Sequence, residues 1–293
     1  MRGIELAGLI ATVFGAVTCV VIGDTAGKLM TSSGIDPVWV AWTRFGLAAL
    51  VLLPFSGLTR AELPRLLDWR VVLRGFFIAA GISCILTALR TEPLANVFGA
   101  FFIGPVVAYV LAILFLGERP APLRSLLLAV GFAGVMLVVK PGFGATIGMA
   151  FALTAGTFYG AYLVMTRVVS GQVRPRFLLL SQLLLGTAML TPFGLGGDWP
   201  GMNWGLAGLV AISAGGSAMG NFLLVMASRR AEASLIAPLV YSQLLSAMVL
   251  GALVFGDWPD VWALAGLALI ALSGVGSLLV SQRQARLAGQ GAA

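Results

Sequence analysis

Apolar residues follow one another along this chain in long, nearly unbroken runs that short polar segments separate. Each run has about the 20 residues that an α-helix needs to cross the hydrocarbon core of a bilayer. The pattern predicts ten membrane-spanning helices, called spans one to ten in chain order, at residues 6–28, 36–56, 71–89, 93–116, 122–139, 145–166, 177–195, 204–227, 233–255 and 260–280. Because the connecting segments are short, we expect consecutive spans to pack as one antiparallel bundle.

The composition agrees with this assignment. The chain has 293 residues, of which 59% are hydrophobic and 10% are charged, and its mean hydropathy is +1.02. Soluble domains carry about 25% charged residues, so this chain has too few charges to cover a water-facing surface. The predicted fold class is therefore an all-α integral membrane protein without a separate soluble domain.

The basic residues predict which side of the membrane each connecting segment faces. Arginine and lysine are enriched in the cytoplasmic loops of membrane proteins. With the N-terminus in the cytoplasm, fourteen of the 18 basic residues fall on the cytoplasmic side, Arg44 lies within span two, and only Lys28, Arg90 and Lys140 fall outside. We therefore expect both termini in the cytoplasm. Since this topology accounts for the net charge of +7, nucleic acid is not expected as a partner.

Two similar motifs end span four and span nine, "LGERP" at 116–120 and "FGDWP" at 255–259. A shift of 139 residues superposes them. Similar shifts align Arg90 with Arg229, Gly81 with Gly220, Pro37 with Pro175 and Pro54 with Pro192, and a shift of 145 aligns Gly15 with Gly160. The matches predict two five-helix repeats, at residues 1–140 and 141–293.

Each predicted repeat has five helices, and this odd number determines how the second repeat is oriented in the membrane. After five crossings the chain is on the opposite side of the membrane, so the second repeat is expected to be inverted relative to the first. Inverted repeats are a common basis of alternating access in secondary transporters, with the substrate bound where the repeats meet.

The repeats, the two motifs and Arg44 within "WTRFGLAAL" together resemble the drug/metabolite transporter superfamily, in the branch built from two EamA-type repeats. The resemblance covers about residues 6–280, and within the family it is greatest to the YddG-type exporters of aromatic and other amino acids. It implies ten helices around a central cavity, and a multi-pass protein of the bacterial inner membrane. It also implies the export of small metabolites, above all amino acids.

Small residues recur every fourth position in two spans and predict close helix packing. In span one they are Ala7, Ala11, Gly15, Cys19, Gly23 and Gly27, and in span six they are Gly148, Ala152, Gly156 and Gly160.

Arg44 is the most informative polar residue within a span. It lies about eight residues into its helix, or ~12 Å at 1.5 Å per residue. Charged groups at such depth often mark a substrate pathway, and a guanidinium binds a carboxylate through two hydrogen bonds. A structural ion pair explains Arg44 equally well. Asp24 and Lys28, four residues apart near the outer end of span one, are expected to pair with each other.

Aromatic and amide side chains complete the predicted substrate site, because an aromatic cavity with a few polar groups suits amino acids and other small amphiphiles. Pro105 is expected to kink span four in this region. The predicted substrate-binding residues are Trp42, Arg44, Phe98, Phe102, Tyr109, Tyr159, Tyr162, Asn221, Tyr241 and Gln243. Ordinary helix contacts remain the alternative for each phenylalanine.

Enzymatic chemistry has little support in the sequence. The chain contains no histidine and only two cysteines, and it has no phosphate-binding loop, so neither a catalytic function nor a metal or cofactor is expected. The predicted function is a secondary-active or facilitative carrier that exports amino acids by alternating access. A channel-like pore, or an exporter of other small metabolites or drugs, is the alternative. One chain contains both repeats, so a monomer suffices.

Overall fold

A computed structural model of the chain describes residues 3–118, 120, 122–140, 146–196, 199–230 and 239–290. All regular structure within these ranges is helical. The α-helices are α1 (Gly3–Ser32), α2 (Pro37–Ser56), α3 (Trp69–Leu89), α4 (Leu94–Phe101), α5 (Gly104–Leu116), α6 (Pro122–Val139), α7 (Ile147–Ser170), α8 (Pro175–Gly196), α9 (Trp204–Arg230), α10 (Ser242–Leu250) and α11 (Val261–Gln290). A 3₁₀ helix, Arg60–Leu67, precedes α3, and a π-helical turn, Gly251–Phe255, follows α10.

The helices agree with the apolar runs of the sequence. Seven helical segments are long and apolar enough to cross a membrane, and three shorter apolar helices cover 125–139, 242–255 and 261–276. Each predicted span overlaps one of these segments, although the first residues of span nine, 233–238, lie outside the described residues. An all-helical membrane fold is thereby confirmed, while the count of ten crossings and the cytoplasmic termini stay predictions.

Span four is broken in its middle, between α4 and α5. Pro105 has no backbone N–H, so it cannot bond the carbonyl of Phe101 as an α-helix requires. The backbone there turns more tightly, and the N–H of Ile103 donates to the carbonyl of Ala100 at 3.1 Å. The predicted kink is confirmed and is a complete interruption of the helix. Non-helical backbone at membrane depth is tolerated where it is buried in protein or lines a cavity.

The small face of α7 covers this break. A Cβ atom added at Gly156 would lie 2.5 Å from the carbonyl oxygen of Phe101, and one at Gly160 would lie 2.6 Å from that of Gly104. The small residues of span six therefore pack as predicted.

The small residues of span one behave differently along the helix. A Cβ at Gly23 would lie 2.9 Å from the carbonyl oxygen of Ser213 in α9, but one at Gly15 meets nothing within 4 Å, and Ala7 and Ala11 are exposed. The prediction is thus wrong for the first half of α1. The reason is geometric, because a spacing of four drifts by about 40° per step around a helix of 3.6 residues per turn. Over the five steps from Ala7 to Gly27 the stripe therefore passes to the opposite side of α1.

The helix packing has a symmetric pattern. The most extensive contacts join α1 with α9, α3 with α7, α6 with α11, and α2 with α8. If the first five spans are equivalent to the last five, the α1–α9 pair corresponds to the α7–α3 pair, and the other two pairs correspond to themselves. A two-fold relation between repeats produces this pattern.

The two motifs that end spans four and nine also share a structure. Gly117 and Gly256 both end their helices in the left-handed conformation, with φ of 68° and 70°, which glycine adopts without strain. The following acid then lies beside a basic residue of another helix. Glu118 pairs with Arg167 of α7, and Asp257 pairs with Lys28 of α1. The motif therefore ends a helix in each half and joins that end to the other half by an ion pair.

Candidate functional site

A cavity of about 180 Å³ lies among α1–α4 and α7–α10, so both halves of the chain contribute to its lining. Its walls are largely aromatic and aliphatic, and its polar groups are few. The polar lining residues are Asp24, Arg44, Tyr159, Tyr162, Gln182, Ser217, Asn221 and Gln243. A mostly apolar cavity with a small number of polar groups is typical of a small-molecule site.

The structure brings six of the ten predicted site residues to this cavity. They are Arg44, Phe98, Tyr159, Tyr162, Asn221 and Gln243. The other four, Trp42, Phe102, Tyr109 and Tyr241, are not among the residues that line it.

Trp42, Phe102 and Tyr241 make contacts away from the cavity, because their helices are rotated or interrupted. The indole N–H of Trp42 donates to Thr191 at 3.1 Å. Phe102 lies at the break of span four and stacks on Tyr241, with ring centroids 4.8 Å apart. The neighbouring Phe101, the last residue of α4, lines the cavity instead.

Tyr109 is the fourth residue outside the cavity. It lies on α5, beyond the break, and its hydroxyl is 2.9 Å from the hydroxyl of Ser125 on α6. A continuous helix over span four would place Phe98, Phe102 and Tyr109 on one face, and the break between α4 and α5 separates them.

Three aromatic rings form one wall of the cavity. The ring centroids of Phe101 and Tyr159 are 4.9 Å apart, and those of Tyr159 and Tyr162 are 5.8 Å apart with nearly parallel planes. Such a wall offers π-faces to a flat cargo.

A buried ion pair provides the charges of the cavity wall. Nη1 of Arg44 lies 2.5 Å from Oδ1 of Asp24, and each side chain is only 4% exposed. Arg44 thus has an ionic partner within the protein and also lines the cavity, so its role toward a substrate stays a prediction. Its Nε–H is buried and has no hydrogen-bond partner in the described part of the chain. Arg44 therefore keeps a donor beyond its bond with Asp24.

The expected pair of Asp24 with Lys28 is wrong. Nζ of Lys28 lies 3.0 Å from Oδ2 of Asp257, donates to the carbonyl of Glu92 at 2.7 Å, and sits 4.6 Å from the ring centroid of Phe255. Partners near the ends of neighbouring helices thus replace Asp24, the residue one turn away.

Arg74 is the polar residue that sequence reasoning missed. Its position near the start of span three suggested a cytoplasmic charge, but its residue is 2% exposed. It donates to the hydroxyl of Thr166, the carbonyl of Leu178, the hydroxyl of Tyr162 and Oε1 of Gln182, each at 2.8 Å. The sequence contained an indication of this burial, because Arg74 is the fourth residue of predicted span three and therefore lies within an apolar run.

An ion pair outside the membrane spans joins the 3₁₀ helix to the segment before α8. Nη2 of Arg174 is 2.6 Å from Oε2 of Glu62. The hydrogen bond from Arg174, with a second from the N–H of Thr59, lowers the pKa of Glu62 to about 2. The same carboxylate raises the pKa of Arg174.

Comparison with models of protein families assigns the chain to a family. The model of the EamA-like transporter family matches the chain twice, over residues 7–140 and 146–279. The chain belongs to the EamA-like transporter family. The two matches lie 139 residues apart, which is the shift of the GERP and GDWP motifs. The shift of 145 is wrong, since Gly160 packs on Gly104 while Gly15 faces open space.

Curated relatives of this EamA-like transporter have similar lengths. It is 27% identical over 236 residues to a riboflavin transporter of Rhizobium johnstonii, covering 78% of this chain and 77% of the relative. It is 27% identical over 263 residues to a riboflavin transporter of Vibrio cholerae, covering 86% of each. An S-adenosylmethionine uptake transporter of Rickettsia felis is 26% identical over 245 residues, or 79% of each chain.

A solved crystal structure shares the fold, with a TM-score of 0.63 and 18% identity over 94% of this chain and 98% of its own. Together with the family matches and the apolar helices, these comparisons identify a small-metabolite transporter of the drug/metabolite superfamily. It is a multi-pass protein of the bacterial inner membrane and not an enzyme.

Proposed function

We propose that this protein is a secondary carrier that moves a small amphipathic metabolite with a planar ring across the inner membrane, by alternating access between two inverted repeats. The observation that carries the proposal is the cavity between the two halves. It combines an aromatic wall of Phe101, Tyr159 and Tyr162 with the buried Asp24–Arg44 pair.

The chemistry of the cavity supports a ring-bearing cargo. Flat rings gain from offset stacking on aromatic faces, while buried donors select polar groups of the cargo. Riboflavin and S-adenosylmethionine, the substrates in the names of the relatives, each join a planar nitrogen heterocycle to a polar chain. We therefore take a heterocyclic metabolite of this kind as the first candidate.

Alternating access is supported by the equivalent ion pairs. Lys28–Asp257 and Arg167–Glu118 correspond to each other at the shift of 139 residues, and each pair joins the acid at a helix end of one half to a basic residue of the other half. The side chain of Lys28 is 8% exposed, whereas that of Arg167 is 64% exposed. This difference fits a carrier state that is closed on the Lys28 side, with the exposed pair on the other side.

Amino acids are the second candidate, as the resemblance to YddG-type exporters implies. The specific observation in favour is the Asp24–Arg44 pair. A carboxylate complements the amino group of a zwitterion, and the guanidinium, whose Nε–H has no hydrogen-bond partner among the described residues, complements its carboxylate. Export is the direction expected for this candidate.

The test is counterflow in proteoliposomes that contain the purified protein. Vesicles are loaded with unlabelled riboflavin, S-adenosylmethionine, phenylalanine or tryptophan, and the uptake of the same labelled compound is followed. A carrier gives saturable uptake that the internal compound stimulates. Riboflavin or S-adenosylmethionine counterflow supports the first candidate, and counterflow of amino acids alone supports the second. Linear, non-saturating flux contradicts a carrier and indicates a channel.

A further inference from the structure

Arg74 is a buried cation that touches the cavity only through other residues. Its four hydrogen bonds run to neutral acceptors on α7 and α8, and two of those acceptors, Tyr162 and Gln182, line the cavity. Its guanidinium also lies 4.7 Å from the ring centroid of Tyr162. One arginine therefore fixes both a ring and an amide of the cavity wall.

The hydrogen bonds determine which end of the Gln182 amide is available. Its Oε1 accepts from Nη2 of Arg74 at 2.8 Å and from the hydroxyl of Tyr162 at 2.7 Å. An amide oxygen has two lone pairs, so these two donors saturate it and orient the side chain. The NH₂ group is therefore the part of the Gln182 amide that remains to interact with a bound molecule. This group can only donate hydrogen bonds.

Arg44 provides a comparable donor from the other half of the chain. Arg44 and Gln182 each stand seven residues after the proline that begins their helix, Pro37 for α2 and Pro175 for α8. Both are thus about 10 Å from the start of their helices. In an antiparallel bundle these two helices begin on opposite faces, so the donors approach the cavity from opposite sides. The aromatic wall completes the lining.

We propose that Arg74 is a positioning residue that determines specificity. It holds Gln182 as a hydrogen-bond donor and Tyr162 as a stacking surface. The cavity then selects a planar cargo with an acceptor at its edge, such as a carbonyl oxygen, a carboxylate oxygen or an unprotonated ring nitrogen. This inference rests on the proposed carrier function and names the feature of the cargo that the site recognises.

The sharpest variant is Gln182→Glu. It keeps the size of the side chain and its bond with Arg74, but it replaces the NH₂ donor with an acceptor. A second variant, Arg74→Lys, keeps the charge but lacks the planar fork that binds Tyr162 and Gln182 together. The matched controls are Gln172→Glu and Arg174→Lys, whose side chains are exposed outside the membrane spans.

The measurement is the binding of riboflavin to the purified protein, followed by quenching of flavin fluorescence. Riboflavin is compared with its 2-thio and 4-thio analogues, in which a weaker sulfur acceptor replaces a ring carbonyl oxygen. We expect the unaltered protein to prefer riboflavin over at least one thio analogue. Gln182→Glu should weaken riboflavin binding about tenfold or more and abolish the preference. The reason is that a carboxylate oxygen of the new side chain, an acceptor, would then face a ring carbonyl oxygen of riboflavin, which is also an acceptor. Arg74→Lys should reduce the preference, and the control variants should keep it.

The outcomes separate this inference from the carrier function. The inference would be overturned if the Gln182→Glu and Arg74→Lys proteins fold and keep both the affinity for riboflavin and the preference for it over the thio analogues. A purely structural Arg74 would change the yield of folded protein but not this preference. Failure of the unaltered protein to bind riboflavin would also overturn it. Binding with the expected preference but without counterflow would support the inference and contradict the carrier function.

Discussion

Phe102 and Tyr241 stack on each other, with ring centroids 4.8 Å apart and an angle of 24° between the ring planes. They are separated by 139 residues, which is also the separation of the two family matches. A residue that contacts its own counterpart lies close to the axis relating two repeats. Phe102 is at the break between α4 and α5, and Tyr241 immediately precedes α10, so the stack joins corresponding points of spans four and nine.

The stack should contribute to the stability of the junction. Phe102→Ala and Tyr241→Ala are each expected to destabilise the protein by about 3 kcal/mol. In a double-mutant cycle the two rings should show a coupling energy of about 0.5–1.5 kcal/mol. Reversible unfolding in mixed micelles measures these values, with Phe115→Ala as the control because Phe115 is exposed. A coupling energy near zero would mean that the rings are neighbours without mutual stabilisation.

Gly156 should not accept a side chain, because its α-carbon faces the carbonyl of Phe101. Gly156→Ala is expected to lower the thermal midpoint, and Gly156→Leu is expected to abolish most of the folded yield. Gly15→Ala is the control, since Gly15 is also helical but faces open space. Size-exclusion chromatography and thermal unfolding measure both effects. Normal folding and transport of Gly156→Leu would show that α7 does not pack closely on the break.

The two equivalent ion pairs should differ in their contribution to stability. Lys28→Ala is expected to cost about 1–3 kcal/mol, because a largely buried network loses its shared donor. Arg167→Ala removes an exposed partner and should cost about 1 kcal/mol or less. Thermal unfolding of the purified variants compares the two, and the charge exchange Lys28→Asp with Asp257→Lys should restore part of the loss. Equal effects at the two sites would contradict the difference in burial.

The Asp24–Arg44 pair should be required for transport. Arg44→Ala is expected to reduce counterflow about tenfold or more while the protein remains in the membrane, because Asp24 loses its partner and the cavity loses a donor. Arg65→Ala provides a control, since Arg65 is exposed and bonds a carbonyl outside the spans. Unchanged kinetic constants for Arg44→Ala would remove Arg44 from the substrate site.

The Glu62–Arg174 pair should make stability depend on pH in the acidic range. The pKa of Glu62 is lowered to about 2 from 4.5, so folding favours the ionised carboxylate. Its contribution is fully present above about pH 5 and is lost as the pH falls through about 2. The difference in thermal midpoint between the natural protein and Glu62→Gln should therefore be constant near neutral pH and shrink toward pH 2. A constant difference over the whole range would show that Glu62 is not ionised through this pair.

Most of the architecture was predictable from local patterns. The apolar runs defined most of the helices within a few residues, since span length and hydropathy depend on neighbouring residues and on the thickness of the bilayer. The exception is α11, which continues to Gln290, ten residues beyond span ten. The GERP and GDWP motifs predicted the correct repeat offset because each needs a glycine in the left-handed conformation and an acid beside it. The burial of Arg44 also agrees with its position within span two.

The contacts between helices were decided by the tertiary structure alone. Asp24 pairs with Arg44 and not with Lys28, Phe101 and not Phe102 lines the cavity, and Arg74 lies beneath the cavity wall instead of at the surface. Each of these outcomes depends on how a helix is rotated against its neighbours, or on where Pro105 interrupts span four. Rotation and interruption are set by packing between segments far apart in the chain, and a periodicity of 3.6 residues contains no information about which segments those are.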